Sequence, residues 1–102
     1  MTDSYRTGID ILSQTGSTQD ERRNRAAEVA PDFVRTAVGF TYGDIFARPG
    51  LDLRVREMAA IAAFAALGRS TLQLRQHVEA ALHVGWSKEE VIEVLIQTAA
   101  HA

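Results

Sequence analysis

The stretch Leu53-Arg-Val-Arg-Glu-Met-Ala-Ala-Ile-Ala-Ala-Phe-Ala-Ala-Leu67 decides the fold. From Met58 to Leu67 it is apolar without interruption, and most of that run is alanine. It is too short to cross a bilayer, which takes about 20 residues. A helix that is apolar all round is expected to be buried on every side, and its alanines let neighbouring helices approach closely. Asp52 stands before it as N-cap, and Gly68 ends it.

Downstream, Ser70 and Gln73 have the spacing of a capping box, in which each side chain answers a backbone N–H left open at a helix start. The helix they open presents Leu74, His77, Val78, Ala81 and Leu82 on one stripe and closes at Gly85. Two apolar helices in tandem predict a buried helical hairpin. Ser87 and Glu90 form another capping box, Trp86 and Val91 stand as its hydrophobic staple, and the helix that follows carries Val91, Ile92, Leu95, Ile96 and Ala99. Upstream, Pro31 starts a helix bearing Phe33, Ala37, Val38 and Phe40 that runs to about Tyr42, where Gly43 and then Arg48-Pro49-Gly50 break it. Thr18 and Glu21, again at capping-box spacing, start a helix that runs toward Val29. The Gly/Ser/Thr-rich stretch from Gln14 to Asp20 separates these elements from a weak leading segment.

No run of alternating β-branched residues competes with the helices. The expected fold is all-α, a compact antiparallel helical domain of about five to six helices around the central hairpin. With 102 residues, 46% of them hydrophobic and two prolines, the chain is read as one domain over residues 1–102, with residues 1–17 weakly ordered. The net charge of -2 and pI near 5.9 argue against nucleic acid or an anionic membrane as partner. The basic stretch Glu21-Arg-Arg-Asn-Arg25 reads as a solvated helix face. The chain has no cysteine, which excludes disulfides, thiolate metal sites and thiol redox chemistry together. Met1 to Asp10 alternates polar and charged residues with no apolar run, so a cytoplasmic protein is expected.

Three segments carry a family resemblance: Phe40-Thr-Tyr-Gly-Asp-Ile-Phe-Ala-Arg-Pro-Gly-Leu-Asp-Leu-Arg-Val-Arg-Glu57, Leu74-Arg-Gln-His-Val-Glu-Ala-Ala-Leu-His-Val-Gly85 and Ser87-Lys-Glu-Glu-Val-Ile-Glu93. Together with the alanine-rich helix, they resemble the carboxymuconolactone decarboxylase family from about residue 30 to the last residue given. The resemblance implies an alkylhydroperoxidase-like helical fold assembled as a homo-oligomer, a trimer or hexamer. It also implies a further Gly/Pro-containing turn and helix beyond His101-Ala102. One branch of the family consists of thiol peroxidases with Cys-x-x-Cys-x-x-x-His. Counting back from His77, the cysteine positions hold Ser70 and Gln73, neither of which forms a thiolate. The Arg-Pro-Gly-Leu loop is closer to the other branch, the lactone decarboxylases of aromatic catabolism.

Decarboxylation of an unsaturated lactone acid leaves negative charge delocalised into the lactone carbonyl. The site must stabilise that dienolate and protonate it, and neither cofactor nor metal is required. His77, on an apolar stripe, is the candidate acid, and Glu57, in the first turns of the buried helix, is its partner across the hairpin. Each has a plainer reading: His77 as a core histidine satisfied by a carbonyl or carboxylate, and Glu57 as an acid favoured by the helix N-terminus. Arg48, in the rigid loop, and Arg56 are candidates for the substrate carboxylate, with subunit contacts or salt bridges as the alternative. Tyr42 is a candidate donor to a lactone oxygen, or packing. His83 sits where histidines serve the last carbonyls of a helix. His77, His83 and His101 lack metal-ligand spacing, and no metal is expected. Two functions stay open: a cofactor-free decarboxylase or lyase acting on a small carboxylated lactone such as 4-carboxymuconolactone, and a non-catalytic or divergent small-molecule-binding helical oligomer on the same scaffold.

Overall fold

A computed structural model describes residues 3–17, 20–68 and 71–102, without the side chains of Glu21 and Arg22. The described residues are helical, with no strand, and the fold is all-α. They form two compact units, Met1–Gly50 and Leu51–Ala102.

In the first unit, α1 (Ser4–Gln14) is capped by Asp3, whose carboxylate accepts from the Arg6 N–H at 3.1 Å. The leading segment, from which the sequence promised no element, is therefore a capped helix. It packs on a π-helical segment, Gly39–Phe46, that continues directly from α3 (Pro31–Val38). The wider helix is marked by the Ala47 N–H, which donates five residues back to the Tyr42 carbonyl at 3.1 Å. The break expected at Gly43 is thus corrected: the helix runs on to Phe46 and stops only before Arg48-Pro49-Gly50. Gly43 is needed for closeness instead. A methyl group there would overlap the Ser4 carbonyl, and one on Gly8 would stand 2.7 Å from the Val38 carbonyl oxygen. Leu12 and Val38 are buried at this crossing, whereas Phe33 and Phe40 are exposed.

α2 (Glu21–Val29) starts where the sequence put a helix, but its cap is Asp20, which accepts from the Arg23 N–H at 3.1 Å. Thr18, proposed for that role, lies outside the described residues. Arg23 is not fully solvated either: its guanidinium donates to the Ser17 carbonyl and lies 3.8 Å from Asp20.

In the second unit, α4 (Leu53–Leu67) begins at Asp52, whose side chain accepts from the Arg54 N–H at 2.7 Å, and ends at Gly68 with φ of 73°. α5 (Thr71–His83) follows; Ser70 of its expected capping box is outside the described residues. α6 (Lys88–Ala99) carries both halves of its box, with the Glu90 N–H donating to Ser87 Oγ at 3.0 Å and the Ser87 N–H to Glu90 Oε1 at 2.9 Å. The backbone bond from Ser87, then its hydroxyl, holds the Glu90 carboxyl below its ordinary value; Arg54 adds to this and partial desolvation opposes it.

The hairpin of α4 and α5 and the packing of α6 on α4 bury Ile61, Ala81 and Val91, with Met58, Leu74, Val78, Trp86, Val94 and Leu95 around them. Burial of α4 on every side, expected from its composition, is corrected. Only Glu57 and Ile61 are buried, while Ala59, Ala63, Ala66 and Leu67 are exposed. Two partner helices cannot surround a third, so α4 keeps an open apolar side. The other stripes shift by a residue or two for the same reason: Ala80 is buried and Leu82 exposed on α5, and Val94 turns inward on α6 while Ile92 and Ile96 turn out.

A latch joins the start of α4 to the turn between α5 and α6. Arg54 lies 4.2 Å over the Trp86 ring and donates from Nε to the Val84 carbonyl at 3.0 Å, while Trp86 Nε1 donates to the Arg54 carbonyl at 2.8 Å. These cross-links fix the entry of α4 relative to α5, and hence the placement of the next turn of α4, which carries Glu57.

Candidate functional site

Glu57 sits on the α4 face that meets α5, and His77 on the α5 face that meets α4. Their separation is 2.7 Å, Glu57 Oε2 to His77 Nδ1. Both are withdrawn from water, Glu57 being 0% and His77 8% exposed. With the carboxylate accepting, Nδ1 carries the hydrogen of the bond. Phe64 stacks on the imidazole, ring centroids 5.2 Å apart and planes 23° apart. Glu57 and Phe64 are seven residues apart, two turns of one helix, which puts both on the face that α5 covers.

The second Glu57 oxygen, Oε1, is buried and has no hydrogen-bond partner. A buried carboxylate oxygen left unanswered is costly, and a pair selected for stability alone would satisfy it. The elements around it explain how the pair forms. Ile61 and Ala81, one turn beyond Glu57 and His77 on their respective helices, are fully buried and seal the hairpin.

The remaining candidates fall as follows. Arg56 follows the cap of α4, and its Nε donates to the Leu51 carbonyl at 3.1 Å, so one face of the guanidinium is fastened to the turn before its own helix. Arg48 and Tyr42 belong to the first unit. Arg48 is exposed in the loop, with its backbone N–H donating to the Ile45 carbonyl at 3.1 Å. Tyr42 lies in the π segment, its ring 4.9 Å from that of Phe46. The structure thus brings Glu57 and His77 together within the second unit and sets Arg56 one residue before Glu57. His83 is exposed in the last turn of α5, and His101 pairs with Gln97 at 3.0 Å. Among the described residues no three His, Cys, Asp or Glu side chains group as metal ligands, and no helix is long and apolar enough to cross a membrane.

Phe64 escaped the sequence reading. Within a run read only as apolar, it was indistinguishable from packing; its signal is that it is the single aromatic among the alanines, seven residues after the glutamate.

Fold and pair together define a class: all-α chains that bury a carboxylate–imidazole couple between two tandem helices. A model of the carboxymuconolactone decarboxylase family matches residues 31–102, and the chain belongs to that family. It is 29% identical over 102 residues to the 4-carboxymuconolactone decarboxylase of Acinetobacter baylyi (strain ATCC 33305 / BD413 / ADP1), the alignment covering 96% of this chain and 74% of that protein. The family and this relative support a decarboxylase-like role at the level of the family.

Proposed function

We propose that the protein is a carboxy-lyase that removes CO₂ from a small carboxylated lactone of the 4-carboxymuconolactone type, using His77 and Glu57 for the proton. The observation that carries this reading is the buried Glu57–His77 pair with an unanswered carboxylate oxygen beside it. In the reaction, the bond from ring carbon to carboxylate breaks and its electron pair passes into the conjugated lactone carbonyl as a dienolate. CO₂ departs, and a proton from His77 goes to carbon. Solvent then returns a proton to the imidazole, so the balance is substrate plus H⁺ to product plus CO₂.

Glu57 keeps Nδ1 occupied. Phe64 and the apolar face of the hairpin exclude water, which favours loss of the charged carboxylate into a neutral gas. Arg56, one residue before Glu57 in the same unit, would hold the substrate carboxylate or the developing oxyanion. The relative's name supports the substrate class. The apolar side chains left exposed on the second unit, Leu72, Ile92 and Ile96 among them, support self-association, which a monomeric mass by light scattering would contradict.

Decarboxylation of 4-carboxymuconolactone, followed as loss of substrate absorbance and release of CO₂, tests the proposal. Turnover above the uncatalysed rate is expected. No turnover with this lactone or with related carboxylated lactones leaves the scaffold as a binding oligomer.

A further inference from the structure

In the first unit, the start of α1, the end of α3 and the π segment line a cleft of about 670 Å³, a size that suits a small molecule. Arg35 and Tyr5 form part of its wall. The guanidinium carbon lies 4.4 Å from the centre of the Tyr5 ring, and among the described residues Arg35 makes no hydrogen bond or salt bridge. A planar guanidinium seated on a ring keeps its N–H fork at the edge, where it matches a carboxylate.

The same cleft holds the opposite charge. Asp44, on the π segment, and Asp3, at the cap of α1, both line it. The Ser4 hydroxyl donates to Asp44 Oδ1 at 2.5 Å, which positions the carboxylate and leaves Oδ2 to accept from a ligand. Asp3 has one oxygen committed to the Arg6 N–H. Phe40 lines the cleft with a ring that the unit leaves largely exposed, four residues before Asp44 and so on the same side of its helix. The π turn that supplies both Phe40 and Asp44 is a rare conformation, met most often at functional sites.

We propose that this cleft binds a small zwitterion, an α-amino acid with an apolar side chain. Its carboxylate pairs with Arg35, its ammonium with Asp44 and Asp3, and its side chain rests on Phe40. A simple anion would reach Arg35 but bring its charge beside two carboxylates, and a simple cation would face the guanidinium. A ligand that carries both charges answers both, and the like-charge contacts reject the others. The proposal does not rest on the decarboxylase reading.

Titration of the full chain with L-phenylalanine, followed by amide chemical shifts in NMR, tests it. Saturable shifts are expected at Tyr5, Arg35, Phe40 and Asp44, with a Kd of about 1 mM or tighter. 3-Phenylpropionate, which lacks the ammonium, and 2-phenylethylamine, which lacks the carboxylate, should each bind at least about tenfold more weakly. Arg35→Met and Asp44→Asn should each weaken L-phenylalanine about tenfold. Should Arg35→Met lose helix content, Arg35→Lys takes its place; it keeps the charge without the fork and should weaken binding about three- to tenfold.

The absence of saturable shifts up to about 20 mM L-phenylalanine overturns the proposal. So does equal binding of either singly charged compound, or a response confined to the second unit. Shifts of the same residues that follow protein concentration and ignore the amino acid assign the cleft to a second copy of the chain, and these overturn it too. Turnover of 4-carboxymuconolactone has no bearing on any of these outcomes.

Discussion

The two units solve the same problem, holding helices together, by opposite means. In Met1–Gly50, α1 and the π segment meet through glycines, so that backbone rests on backbone and few large side chains are buried. In Leu51–Ala102, the helices meet through side chains around Ile61, Ala81 and Val91, and the same interface admits a glutamate and a histidine. The first arrangement gains stability from closeness, to which every atom contributes. The second accepts a buried polar pair that an apolar one of equal volume would match or better in stability. What is retained at a cost to packing marks the region where chemistry is to be sought.

The sharpest way to break this contrast is to remove one partner of the pair. Glu57→Ala leaves a cavity and a buried imidazole without its acceptor, and it should destabilise the protein by about 3–5 kcal/mol in urea unfolding. The paired change Glu57→Met with His77→Leu should recover most of that loss while abolishing decarboxylation. If the double variant is as unstable as the single, the pair is a structural element and the contrast fails.

On the other side, Gly43→Ala puts a methyl group into the Ser4 carbonyl and should cost about 3 kcal/mol, seen as lost amide protection in hydrogen exchange over residues 4–46. Retained protection there would show that the close crossing is not what stabilises the first unit.

The smallest effect expected is at the α6 cap. Ser87→Ala should cost about 1 kcal/mol. Because the folded Glu90 carboxyl is held below its ordinary value of 4.5, its contribution is present above that value and is lost as pH falls through the lowered one. Urea unfolding repeated at decreasing pH should show this loss in the unaltered protein and a flatter profile in Ser87→Ala.

How much of this the sequence revealed depends on whether a signal was local. The Ser87–Glu90 box, the Asp52 cap and the Gly68 stop involve residues within one turn of a helix end, and each was legible. So was the likeness that suggested Glu57 and His77, which the hairpin then places at hydrogen-bonding distance. Gly43 was misread because a glycine required for a close crossing and a glycine that ends a helix look alike until the crossing helix is known, and α1 itself had little to announce it. The alanine run shows composition but not which sides are covered, so the open side of α4 was invisible, as was the difference between Phe64 and its apolar neighbours. Nor does sequence show an unanswered oxygen: Glu57 Oε1 is evident only once the surrounding helices are in place.

The central claim is that the buried pair moves the proton in a decarboxylation, and single-turnover decarboxylation of 4-carboxymuconolactone by the unaltered protein, His77→Ala and Glu57→Gln tests it most directly. The account predicts turnover by the unaltered protein, a loss of about 10²–10⁴-fold in the rate of the chemical step for His77→Ala, and a smaller loss for Glu57→Gln, which retains a hydrogen-bonding side chain but not the charge. Turnover that is unchanged in both variants, while their helix content is intact, would contradict it.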